Sequence, residues 1–251
     1  MSFKARLKSV SRIAAIALIS TFGSSLYAVP IAGQGTWEST LQARDLNGDG
    51  ITNGFYDTTL NVTWASNADI NGRMTWDTAM AWAGGFSIGN VSGWRLPTMV
   101  DSGAPGCDPS FAGGTDCRYN VQTLYGGITY SEMAHLYYVT LGNLSICPPD
   151  NPICSAIQVD FGLRNTGNFQ KFQKGEFWTN LEYVSPASGS AWRFGTYEGF
   201  QTFSYKGDLL YGLAVRSGDA GAAIPVPVAP TALLLLPLLA GLASRSGRQT
   251  G

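Results

Sequence analysis

Hydrophobic positions, many of them aromatic, gather in four short late stretches: Phe177-Trp178-Thr179, Ala191-Trp192-Arg193-Phe194, Thr202-Phe203-Ser204-Tyr205 and Tyr211 to Arg216. Turn residues separate them, which predicts a set of antiparallel strands. Earlier, Gly54 to Asp57 and Leu60 to Trp64 predict a strand pair with a turn at Asp57-Thr58. Two segments follow the helical period instead. Trp76, Ala79, Met80 and Ala83 share a face between an N-cap at Thr75 and a stop at Gly84-Gly85. Thr129 and Glu132 have capping-box spacing, followed by Met133, Leu136, Tyr137 and Leu141 and a stop at Gly142. Two helices followed by antiparallel strands predict an α+β domain. Asp101 to Gly127 reads as a long loop, and Ser217 to Ala223 as a small-residue linker.

The two ends have a different pattern. Lys4, Arg6, Lys8 and Arg12 precede an apolar run from Ile13 to Phe22, and Ala28 is a suitable cleavage position. That order predicts a secretory signal peptide over 1–28. A polar lead (29–43) then precedes the domain (44–219). At the far end, Ile224 to Ala243 carries no charge but is interrupted by Pro225, Pro227, Pro230 and Pro237. Its apolar part is short for a permanent span. Two readings stay open: a simple hydrophobic anchor helix, or a sorting signal that is recognised and cut. Residues 220–230 would be linker and Pro-rich motif, and 231–251 the hydrophobic segment with a basic end at Arg245 and Arg248. This tail resembles the PEP-CTERM class of bacterial sorting signals, with Val226 where the class has Glu. The resemblance implies an exosortase-type processing enzyme as a partner and a cell-surface or matrix destination.

Setting both ends aside changes the charge. Of 16 Lys and Arg, four lie in the first 28 residues and two in the tail, whereas all 17 Asp and Glu lie between; ten against seventeen leaves a domain near −7. Such a domain excludes nucleic acid and disfavours sulfated polymers. Neutral partners, or partners bridged by a cation, fit better. Cys107, Cys117, Cys147 and Cys154 are an even set in an exported chain, which favours disulfides. Of the three connectivities we expect 107 with 117 and 147 with 154, because each pair brackets a Gly/Pro/Asp-rich loop.

Candidate chemistry is sparse. Asp45, Asn47 and Asp49, with Gly50 behind them, match the first half of a calcium loop. Tyr56 stands where the closing bidentate Glu belongs, so an Asn/Gly turn is the competing reading. His135, the single histidine, falls inside the second helix and reads as a packed residue. The seven tryptophans are expected mainly in the core. One or two exposed tryptophan faces near Arg193 or Tyr197 are candidates for stacking on sugar rings.

Gly93-Trp94-Arg95-Leu96-Pro97-Thr98 resembles a motif of the Lcl C-terminal domain family. Tyr56-Asp57-Thr58, Thr63-Trp64, Thr75-Trp76, Phe177-Trp178-Thr179 and Ala214-Val215-Arg216 with Gly218-Asp219 agree with it in order. The resemblance implies a C-type-lectin-like fold with a WRLPT strand after the first helix. In that strand Trp94 and Leu96 face the core and Arg95 pairs outside it. Lectin-like folds carry carbohydrate binding, protein binding or catalysis, and the residues themselves offer no catalytic constellation, which leaves carbohydrate or a surface protein as the candidate ligand. The expectation is therefore an exported, non-enzymatic surface or exopolysaccharide-matrix protein, held at least transiently at the membrane by its C-terminal segment. The alternatives are a structural envelope protein without a ligand, and an enzyme on a formylglycine-generating-like scaffold. The latter needs a late cysteine pair that these mid-chain cysteines do not supply.

Overall fold

The computed structural model describes residues 29–184 and 189–223; the expected signal peptide with Ala28, and the tail with Pro225, Pro227 and Pro230, lie outside the described residues. The architecture mixes short helices with a larger amount of sheet, as the α+β expectation required. Among the described residues no helix is long and apolar enough to cross a membrane.

The first sheet unites the two ends of the domain. It contains β1 (Leu41–Asp45), β2 (Gly54–Asp57), β3 (Val62–Ala65), β13 (Val215–Ser217) and β14 (Ala222–Ala223), in the order β13-β3-β2-β1-β14, all antiparallel. The expected β2/β3 pair is present, and its turn is held by Asp57 Oδ1, which accepts from the backbone N–H groups of Thr59 and Leu60 at 2.9 and 3.1 Å. Two expectations change here. The polar lead is not separate: a single helical turn, α1 (Trp37–Thr40), buries Trp37 and leads straight into β1. Residues 222 and 223 are not plain linker but an edge strand. Arg44 fixes that edge by a bidentate pair with Asp219, both contacts at 2.7 Å.

The second sheet carries the late strands. It comprises β4 (Arg73–Met74), β5 (Pro109–Ser110), β6 (Cys117–Tyr119), β9 (Glu176–Glu182), β10 (Ser190–Gly195), β11 (Phe200–Tyr205) and β12 (Leu210–Tyr211), in the order β4-β12-β9-β10-β11-β6-β5. Only the β12/β9 and β5/β6 contacts are parallel. The single strand expected over 211–216 is two: β12 belongs to this sheet and β13 to the first. Gly212 lies in the crossing, where a Cβ would come within 3.0 Å of Trp82 and 3.1 Å of Met74. A small hairpin of β7 (Leu124–Tyr125) and β8 (Ile128–Thr129) interrupts the expected long loop.

Helix α2 (Trp76–Gly85) lies where expected, with Trp76, Ala79 and Ala83 buried against Trp178 and Ala191. The second helix begins differently. Thr129 belongs to β8, and Ser131 caps α3 (Glu132–His135) by accepting from Ala134 N at 3.2 Å. The capping-box spacing fails because Glu132 turns away to Arg95. The helix then widens into a π turn over Leu136–Thr140, closed by Leu141 N to Leu136 O at 2.9 Å. The wider turn lets the consecutive Tyr137 and Tyr138 both meet Phe194, at ring distances of 5.3 and 5.8 Å.

The GWRLPT segment is extended but not a sheet strand; Arg95 makes an isolated bridge with Val215. Its alternation still holds, since Trp94 and Leu96 are buried. Both disulfides form with the expected pairing, at Cα separations of 5.2 and 5.1 Å.

Candidate functional site

The side chains of β9, β10 and β11 divide between two faces. Phe177, Trp192 and Phe194 point into the interior beneath the π turn and the disulfide loops. On the opposite face, Trp178 and Ala191 are covered by α2, but the far end of the same face is not covered. There the register aligns Glu176, Gly195, Phe200 and Tyr119 in one row across β9, β10, β11 and β6. A cleft of about 350 Å³ opens on this row, lined also by Arg193, Tyr197 and Glu198.

Gly195 makes the cleft possible. It sits in the middle of the row without a side chain, so the floor stays low between Glu176 and Phe200. A Cβ there would meet only Arg193 Nη1 at 3.4 Å and Phe200 O at 3.5 Å, so the space is open rather than packed. One wall is aromatic: Tyr119 and Phe200 meet edge to face at 4.7 Å, and Tyr197 is 50% exposed. The rest is polar. Arg193 Nη1 contacts Glu176 Oε1 at 2.8 Å, and Arg193 Nε donates to Ser204 Oγ at 2.8 Å. Burial pulls the Arg193 pKa down, against the opposing pull of Glu176, Asp208 and Glu198. The Tyr119 hydroxyl donates to Glu198 Oε2 at 2.8 Å. Burial and that bond push the Tyr119 phenol up to about 12, so it stays a donor at neutral pH.

The β10–β11 turn that carries Tyr197 and Glu198 is fixed from behind. Tyr138 Oη donates to Gly199 O at 2.7 Å, Ile146 N to Glu198 O at 2.8 Å, and Leu163 N to Thr196 O at 3.0 Å. Gly199 has φ +65°, and a Cβ there would lie 2.9 Å from both Tyr137 and Tyr138, so only glycine fits. The π turn and the loop around the second disulfide therefore set the geometry of the turn. The turn that rims the cleft is thereby held in one geometry.

Compared with known proteins, the chain matches no family model, no curated protein and no solved structure.

The other candidates lie elsewhere. Asp45 closes its own loop: its carboxylate accepts from Gly48 N and Gly50 N at 2.7 Å each, which keeps its pKa below the usual range. Asn47 Nδ2 donates to Asp49 Oδ2 at 2.8 Å, and Asn53 Nδ2 to Asn47 Oδ1 at 2.7 Å. Asp57, the next acid along the chain, is buried in the β2–β3 turn and does not close the loop. Among the described residues no three His, Cys, Asp or Glu side chains converge as a metal site. His135 is buried with neither ring nitrogen hydrogen-bonded. The exposed tryptophan faces expected near Arg193 or Tyr197 are not there, since Trp178 and Trp192 are fully buried; Arg193 and Tyr197 themselves line the cleft. Glu176, Gly195, Glu198, Phe200 and Tyr119 were not legible as a site, because only the strand register brings them together.

Proposed function

We propose that this chain is an exported, non-enzymatic surface or matrix protein whose lectin-like domain binds carbohydrate in the β10–β11 cleft. The observation that carries the reading is the in-register row Glu176, Gly195, Phe200 and Tyr119, an open groove with an aromatic wall and a charged rim. Aromatic faces pack on the apolar faces of sugar rings, while carboxylate and guanidinium groups hydrogen-bond hydroxyls. The GWRLPT motif supports a C-type-lectin-like relationship, and the tail supports delivery by PEP-CTERM-type sorting. The two disulfides fit an oxidising compartment. All four cysteines are joined in pairs, which leaves no resting thiol for formylglycine-type chemistry.

A glycan array probed with the full exported chain tests this. Reproducible hits that disappear in Gly195→Val support the reading. Silence across the array favours the second reading, a structural envelope protein without a small ligand.

A further inference from the structure

The charge of the cleft narrows its ligand. Two carboxylates, Glu176 and Glu198, line it against one guanidinium, Arg193. Arg193 has Nη1 engaged by Glu176 and Nε by Ser204, so its single positive charge is already balanced by an adjacent carboxylate. Asp208 adds a third negative neighbour to Arg193. Glu198 takes one internal hydrogen bond, at Oε2 from Tyr119, and no described protein donor reaches its Oε1. Tyr119 contributes a donor but no charge. The cleft is thus net negative beside two aromatic rings, Tyr197 and Phe200, whose faces also attract cations. The domain around it is itself acidic, so the wider field does not reverse this sign.

We infer that the ligand of this cleft is a hexosamine glycan with free ammonium groups, not a neutral or sulfated one. The ammonium would pair with the Glu198 and Glu176 carboxylates, while the apolar face of the sugar ring rests against the aromatic wall over Gly195. A sulfated sugar would bring like charge against two carboxylates. A neutral sugar would leave the acceptors of Glu198 without a charged partner. A basic peptide shares the charge, but its flexible side chain makes less use of a flat groove floored by glycine. The inference rests on the carbohydrate reading of the same cleft.

Titration calorimetry of the full exported chain at mildly acidic pH, where sugar amines are protonated, separates the possibilities. The probes are a β-linked glucosamine tetramer, its N-acetylated counterpart, a glucose tetramer and tetralysine. The expected result is about tenfold tighter binding of the glucosamine tetramer than of the acetylated or neutral ones. Glu198→Gln, which keeps an oxygen for Tyr119, should abolish that preference. Gly195→Val should abolish binding without changing the melting temperature. Equal affinity for the glucosamine and glucose tetramers overturns the inference and leaves the carbohydrate reading standing. Binding of tetralysine alone, or of no probe, overturns both. Undiminished binding in a folded Gly195→Val protein overturns the placement in this cleft.

Discussion

The molecule contains two Arg–Glu pairs with opposite surroundings. Arg95 and Glu132 are joined by two contacts of 2.7 Å, and the same carboxylate also accepts from Thr98 N at 2.7 Å. Their side chains are 27% and 5% exposed, and the pair ties the GWRLPT segment to the start of α3. Arg193 and Glu176 meet through one contact at 2.8 Å, with 16% and 34% of their side chains exposed, at the edge of an open cleft. The first pair is saturated by internal partners and so does structural work. The second retains acceptor capacity toward solvent, which a ligand can use. The same residue types serve the fold in one place and, on the proposed reading, recognition in the other, and the number of internal partners separates the two.

The largest effect expected from breaking this contrast is at Glu132. Glu132→Gln leaves a partly buried guanidinium without its charge partner and should cost about 3 kcal/mol. That corresponds to a fall in Tm of about 6–12 °C for a domain of this size, read by thermal melting of the oxidised protein. Glu176→Gln should cost less, because this pair has one contact where Arg95 and Glu132 have two, and Arg193 keeps the Ser204 hydroxyl as a partner. Its effect should appear in ligand affinity instead. Equal losses of stability in the two variants would erase the distinction between the pairs.

His135 tests the buried side of the comparison in another way. It lies one turn into the helix that Glu132 begins, and burial holds its imidazole pKa below the ordinary value, only partly opposed by Asp57. The folded state therefore keeps it neutral while the unfolded chain takes up a proton below about pH 6.5. Its contribution to stability is complete above that pH and is lost as the pH falls through it, by up to about 1.4 kcal/mol per pH unit. Denaturation series between mildly acidic and neutral pH should show this slope, and His135→Leu should flatten it. An unchanged slope in that variant would place the acid sensitivity elsewhere.

The smallest effect is expected at the Asp45 loop. Its carboxylates are engaged by backbone N–H groups and neighbouring amides, as in the Asn/Gly turn reading. Calorimetry with millimolar calcium should give no heat, and Tm should not move. A clear binding isotherm would restore the calcium reading and add a second kind of site to the molecule.

The legible parts of the fold were those with local causes. The β2/β3 pair, α2 and the buried face of Met133, Leu136, Tyr137 and Leu141 follow from periodicity and turn residues. The disulfide pairing follows from loops that each cysteine pair encloses. The misread parts were decided by distant partners. Thr129 and Glu132 have the spacing of a capping box, but Arg95, far away in sequence, claims the carboxylate. Tyr211 to Arg216 reads as one continuous strand, yet the close approach of Gly212 to Met74 and Trp82 lets the chain leave one sheet for the other. Small residues before the tail read as linker, and only pairing with β1 makes two of them a strand.

The sequence by itself determined an acidic, disulfide-closed α+β domain between two atypical ends, because charge, cysteine count and hydrophobic period are properties of the chain alone. Tertiary structure decided where the open cleft lies. Glu176, Gly195, Phe200 and Tyr119 stand side by side because backbone hydrogen bonds fix the register of four strands. That register is set by pairing between distant segments, which no local pattern in the sequence records.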